Sequence, residues 1–421
     1  MSAPDVASQS DVSPAPAPLP PVRWPWQMKQ LGNSFWSLYA SSCLIDFGLC
    51  LYFFMFSLFM VEHNFTVQSI GYITAALTIG MIAGTVPASF LSRKLGLRTM
   101  MLLYVLATPL SLALRVCFLQ IPLQIGLAFL SGLMMSIGSV CFSPTIAKLT
   151  TQENRTFGFS LFIATGISSG AVAGMLGGYL PGLVRRLQWG GPQVDGIKLV
   201  LLLACSIMLL AVFAMHRLRV NPDETVPTHT RIISRFLVRF LLSIGIWNFA
   251  IGFFIPFANV YLSRQLGLPL MRIGEIFTIS QLFQVAMVLL APILYRKVGL
   301  VAGLALTQIG TALLLCSLSR ASGGSIAIGI YVLLTGLQWM GGPGISSLLM
   351  NRTAEAHRSQ ATAMQSVVNL AAQAGSAALA GKMFGLYGYS GPLAADSALA
   401  ACAAVLLYTL LGREDSRHRT R

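Results

Sequence analysis

The stretch Leu91–Arg98, LSRKLGLR, returns about two hundred residues later as Leu294–Leu300, LYRKVGL. In both copies a long apolar run ends in an Arg-Lys pair, turns on a glycine (Gly96, Gly299) and gives way to another apolar run. Two membrane helices joined by a short basic loop read this way. The match extends along the chain at an offset of about 203 residues. Ser131–Leu133 (SGL) falls on Thr335–Leu337 (TGL), Arg155 on Arg358, Gly178 on Gly381, and Asp46-Phe47 on Asn248-Phe249. Such a repeat predicts a duplicated six-helix unit, giving two pseudo-symmetric halves with a site between them.

Composition points the same way. Of 421 residues 55% are apolar and 10% charged, with a mean hydropathy of +0.73, whereas soluble domains carry about a quarter charged residues. The chain reads as a polytopic membrane protein. Its net charge of +15 would suggest nucleic acid in a soluble protein, but here the basic residues sit between apolar runs and report topology, so no nucleic-acid partner is expected. Residues 1–33 carry a Pro-rich SPAPAPLPP without a basic start and apolar core, which predicts a solvated cytoplasmic tail and no cleaved signal. The seven cysteines lack CxxC spacing and the five histidines are scattered, so neither disulfides nor a metal site nor another cofactor is expected.

A span needs about 20 mostly apolar residues, and twelve such runs can be marked. Six lie in an N-terminal bundle over 34–216: 35–60, 70–91, 99–118, 121–147, 157–180 and 197–215. Six lie in a C-terminal bundle over 235–412: 236–262, 273–294, 300–318, 325–349, 361–384 and 392–411. Residues 217–234, with NPDETVPTHT, form the one long linker, and 413–421 a basic tail. With a cytoplasmic N-terminus, the outer side holds eight of the 28 Lys and Arg residues, namely Arg115, Arg185, Arg186, Lys198, Arg264, Arg272, Arg320 and Lys382. The positive-inside bias therefore puts both termini in the cytoplasm of a plasma (inner) membrane protein.

Of thirteen acidic residues, Asp46 is the one near the middle of a span. A carboxylate at that depth costs on the order of 3 kcal/mol on insertion scales and marks an ion or proton path. Structural bonding to a neighbouring helix is its other reading. Tyr39 and Ser42 precede it on the same helix face. The repeat sets Asn248, beside Trp247, opposite Asp46, and further amides follow in the second half at Gln281, Gln284 and Gln338, the last beside Trp339. Gln365, Asn369 and Gln373 fall at i, i+4 and i+8, one stripe along a helix that must look inward. A lone acid facing an amide-rich, aromatic-flanked wall predicts a site for a neutral, zwitterionic or cationic solute, with interhelical amide bonding as the alternative. Arg115 and Glu275 lie near span ends, where snorkelling would carry both to the outer interface.

With these residues in hand, residues 34–412 resemble the major facilitator superfamily (MFS). The family's loop signature, roughly Gly-x-Leu-Ala-Asp-Arg-x-Gly-Arg-Arg, is matched by Leu91, Lys94, Gly96 and Arg98, while Ser89, Arg93 and Leu97 depart from it. The acid and Arg after the fourth span, Glu153 and Arg155, echoed as Glu355 and Arg358, are similar to the family's gating loop. Ala128 stands where many drug/proton antiporters carry Arg, and Gly174-Met175 replaces their Gly-Pro pair, so the subfamily stays open. The resemblance implies an all-α membrane fold of twelve helices and a secondary active transporter, working as a monomer among lipids on a small-molecule solute. A proton or other cation would be coupled through Asp46. It also implies gating loops built from Arg93, Lys94, Gly96, Arg98, Glu153, Arg155, Arg296, Lys297, Gly299, Glu355 and Arg358. An enzyme would need paired aspartates or a deep histidine, which the chain lacks. A non-transporting scaffold or sensor of the same fold is the competing reading.

Overall fold

In the computed structural model the described residues are 31–151, 155–187, 195–219, 234–321, 323–353 and 357–419. The N-terminal tail up to residue 30, most of the expected linker (220–233), Glu153 and Glu355 lie outside them. Twelve helices and no strand are found there. The first half holds α1 (Asn33–Glu62), α2 (Val67–Leu95), α3 (Leu97–Cys117), α4 (Ile121–Leu149), α5 (Arg155–Arg186) and α6 (Gly196–His216). The second holds α7 (Arg235–Gln265), α8 (Leu270–Val298), α9 (Leu300–Ser319), α10 (Gly324–Arg352), α11 (Arg358–Tyr387) and α12 (Ser390–Arg419). Eleven are long and apolar enough to cross a membrane; α11, which carries the amide stripe, is the twelfth.

Local chemistry sets the helix ends. The side chains of Thr66, Asp195 and Ser234 cap α2, α6 and α7 by accepting from the backbone N–H groups of Ser69, Ile197 and Leu237. At the repeated basic loops Gly96 (φ 80°, ψ 155°) and Gly299 (φ 98°, ψ 160°) share one conformation, a region essentially open to glycine alone. Each closes one helix and opens the next, donating to Ser92 O and Tyr295 O respectively at 3.0 Å. Of the prolines inside spans, Pro256 marks an irregular stretch of α7. The helix tightens to a 3₁₀ turn over Ile255–Phe257 and loosens to a π turn over Tyr261–Gln265. Pro87, Pro144, Pro292 and Pro343 lie inside continuous helices.

The packing obeys the repeat. In the first half α1 packs on α5 and α6, α2 on α4, and α3 on α4 and α6. In the second, α7 packs on α11 and α12, α8 on α10, and α9 on α10 and α12. Across the halves α2 meets α11 and α8 meets α5, again repeat counterparts. At the end remote from the basic loops these crossings close on glycine. A methyl built on Gly71 would lie 2.9 Å from Gly381 Cα, and one on Gly274 would lie 2.8 Å from Gly178 Cα. Backbones that close admit no side chain. At the basic end, bulky residues of α2 and α11 flank a cavity of ≈ 580 Å³ lined by Val86, Phe90, Arg93, Gln360, Met364 and Val367. The halves are thus sealed at one end and parted at the other.

Candidate functional site

Between the halves, below the sealed end, lies a second cavity of ≈ 500 Å³. Helices α1 to α4 form most of its wall, and Ile255, Pro256, Asn259 and Phe277 of the second half complete it. The break at Pro256 brings α7 onto this cavity. Its lining is mainly aromatic and aliphatic, with Phe53, Phe54, Phe56, Met60 and Leu77 among them, and it contains one charged residue, Arg115, and no acid. That composition, an apolar concavity with few polar groups, is the usual make-up of a small-molecule site.

The snorkelling expected of Arg115 does not occur. Its side chain is 2% exposed and held inside the protein by Phe56 and Gln124. The guanidinium carbon lies 4.3 Å from the centroid of the Phe56 ring. Nε donates to Gln124 Oε1 at 3.5 Å, and Gln124 Nε2 donates in turn to the backbone carbonyls of Arg115 and Phe118. Gln124, fully buried at the start of α4, so fixes the last turn of α3.

Asp46 sits elsewhere. It lines a smaller cavity of ≈ 210 Å³ enclosed by first-half residues, including Tyr104, Ser139 and Phe142, and its Oδ2 accepts from Ser42 at 2.9 Å. Tyr39 turns from it to bond Thr165 Oγ1 of α5 at 2.8 Å. The expected confrontation of this acid with an amide wall is therefore absent. In the second half Asn248 Nδ2 donates to Asn369 Oδ1 at 2.9 Å and Gln373 Nε2 to Asn248 Oδ1 at 3.4 Å, an amide chain that joins α7 to α11. Asn248 is buried while Asn369 and Gln373 are half-buried, and the three amides satisfy one another between the helices.

The remaining expected residues scatter. Trp247 is buried in the second-half core, whereas Trp339 is 56% exposed. Gln281 lies against Gly170 on the α5–α8 crossing. Gln284 and Gln338 are buried, Gln338 with Oε1 unpartnered, and Gln365 is partly exposed on α11. Arg93, Lys94, Arg98, Arg296 and Lys297 stand exposed at the basic end. Arg98 ties α3 to the end of α6 through His216 O at 3.0 Å. Arg155 and Arg358 open α5 and α11.

Sequence reasoning missed the polar bonds that hold the sealed end. Asn259 Nδ2 donates to Phe54 O (3.2 Å), Arg264 to Phe65 O (2.8 Å), Thr278 Oγ1 to Ala171 O (3.0 Å) and Tyr179 to Glu275 (2.8 Å). Glu275 is at the same time ion-paired with Arg272 at 3.0 Å. It also missed Asp396 of α12, which is 2% exposed with neither carboxyl oxygen hydrogen-bonded. Asp46 remains the acid nearest the middle of a span, but Asp396 is a second acid taken out of water. Position within the span concealed Asp396, because burial by neighbouring helices does not depend on distance from the span's centre.

The sequence profile described as Major Facilitator Superfamily matches residues 38–366. No curated protein matches the chain in sequence. Among solved structures it shares the fold of a D-xylose–proton symporter, at 15% identity and a TM-score of 0.71, covering 89% of this chain and 97% of that one. The nucleoside transporter NupG aligns at 13% identity and 0.71, covering 90% and 99%. A bacterial homologue of the human lysosomal transporter Spinster, inward-facing and unoccupied, aligns at 10% identity and 0.73, covering 92% and 98%. The chain belongs to the major facilitator superfamily and is a multi-pass membrane protein.

Proposed function

We propose that this member of the major facilitator superfamily carries a small organic solute across the cell inner membrane by alternating access. The observation that carries the reading is the two-ended seam: repeat-related halves sealed through glycine at one end and parted at the other, around a cavity to which both contribute. Similar folds belong to proteins described as transporters of xylose with protons and of nucleosides. The Lys and Arg bias makes the basic end cytoplasmic, with both termini there. The rocking units are 34–216 and 235–412, joined by the linker 217–234.

We further propose proton coupling through Asp46. No Lys, Arg or His lines its cavity, so the ionised carboxylate lacks a fixed countercharge and proton uptake is the chemistry that would supply one. The test is uptake into proteoliposomes. Asp46→Asn should abolish accumulation driven by an imposed proton gradient while leaving solute exchange at equal pH intact. Undiminished gradient-driven accumulation in that variant refutes the coupling role. Bridging Val86→Cys to Val367→Cys with a bifunctional thiol reagent, in a cysteine-free background, should stop all uptake, and uptake at the unbridged rate refutes alternating access.

A further inference from the structure

Arg115 poses a question that packing does not answer. A guanidinium taken out of water needs its donors satisfied, and a charge left partly unpaired in an apolar surround is costly. Phe56 covers one face and Gln124 takes Nε, yet Nη1 is buried without any hydrogen-bond partner. Ser57 Oγ, on the wall of the same cavity, is likewise buried and unpartnered. Two unsatisfied donors thus border a cavity that both halves share, and no carboxylate lines it.

We infer that this cavity binds a small organic anion, a monocarboxylate with an apolar body, whose carboxylate accepts from Arg115 Nη1 and Ser57 Oγ. The inference rests on the transport reading above, since it names the solute class of the cavity between the halves. One cation in a cavity of ≈ 500 Å³ balances one negative charge, and a planar guanidinium suits a carboxylate's geometry. The aromatic and aliphatic wall, with Phe53, Phe54 and Phe277, receives the body of the molecule. Phosphorylated or dianionic solutes would bring a second charge that nothing in the wall balances. The proposal puts an anion in place of the neutral, zwitterionic or cationic solute expected from the sequence, because the charged residue that lines the shared cavity is an arginine.

The test uses the full-length chain in lipid nanodiscs and the probe pair 4-phenylbutyrate and 4-phenylbutyramide, alike in body and different in charge. Thermal unfolding of the wild type should shift upward with the acid and not with the amide. Arg115→Gln should weaken binding of the acid about 10- to 100-fold, and Arg115→Lys should recover part of it. Without probe, Arg115→Gln should unfold no earlier than the wild type, because an unpaired buried charge has gone. Met135→Trp, which fills the cavity and keeps the arginine, should also lose the acid-induced shift, and this variant decides the matter where Arg115→Gln does not fold. Equal shifts by acid and amide, an unweakened shift in Arg115→Gln, or an undiminished one in Met135→Trp overturns the proposal. Failure of the acid to bind while the protein still exchanges another solute removes the anion site and leaves alternating access standing. Loss of bridging-sensitive transport with acid binding intact does the reverse.

Discussion

Four helices, α2, α5, α8 and α11, make most of the seam between the halves, yet its two ends are made of different material. At the sealed end the residues are Gly71, Gly178, Gly274 and Gly381, and backbone lies on backbone. At the basic end stand Val86 and, one turn on, Phe90, 76% and 65% exposed, on the wall of the cavity between α2 and α11. Closure at the first end is a matter of shape, with no side chain to rearrange. Closure at the second must bury large side chains, each worth about 1.5–3 kcal/mol when fully removed from water. The polar bonds of Tyr179, Asn259, Arg264 and Thr278 then add to a contact already made by glycine. An alternating device needs neither end to be too secure, and here a tight, small contact is set against a loose, bulky one.

The hardest blow to this comparison is a wedge at the sealed end. Gly274→Leu places a side chain where a single methyl already meets Gly174 O at 2.5 Å and Gly178 Cα at 2.8 Å. Overpacking of about 3 kcal/mol would shift the balance about a hundredfold toward opening there. Labelling of Ser57→Cys by a membrane-impermeant maleimide from that side, in a cysteine-free background, should rise and transport should collapse. Unchanged labelling means the glycines do not seal.

A milder change separates glycines kept for space from those kept for conformation. A methyl on Gly96 meets nothing within 4 Å, but φ of 80° strains any side chain. Gly96→Ala should lower unfolding stability by about 1–3 kcal/mol while leaving the Ser57→Cys labelling pattern as it was. A changed pattern would make the basic loop part of the gate and not merely a turn.

The smallest effect belongs to Tyr179→Phe, which removes the donor to Glu275 at a solvent-facing site. Because water screens a pair at such a site, we expect no more than about a twofold rise in labelling. No rise would place the holding strength of that end in glycine alone.

Most of the fold could be read from residues, because a repeat spaced about 203 apart forces matched packing and glycine between basic runs forces a matched turn. The site was less legible. Spacing placed Gln365, Asn369 and Gln373 on one face, but could not say that Asn248 would reach across to the last two. Depth in a span singled out Asp46 and passed over Arg115 and Asp396, because exposure is decided by neighbouring helices that no local pattern names. The shared cavity takes its wall from Phe53, Phe56 and Phe277, residues that in sequence look like any other apolar residue.

One consequence concerns biogenesis. Among the described residues α11 is the helix that, though 30 residues long, falls short of the hydropathy of a membrane span, and its amides find partners on α7 while its glycine meets α2. During synthesis it emerges after both of those helices, so it enters lipid with docking surfaces already waiting. Its integration depends on them, and the strand of chain least suited to hydrocarbon is the one that stitches the first-made bundle to the last.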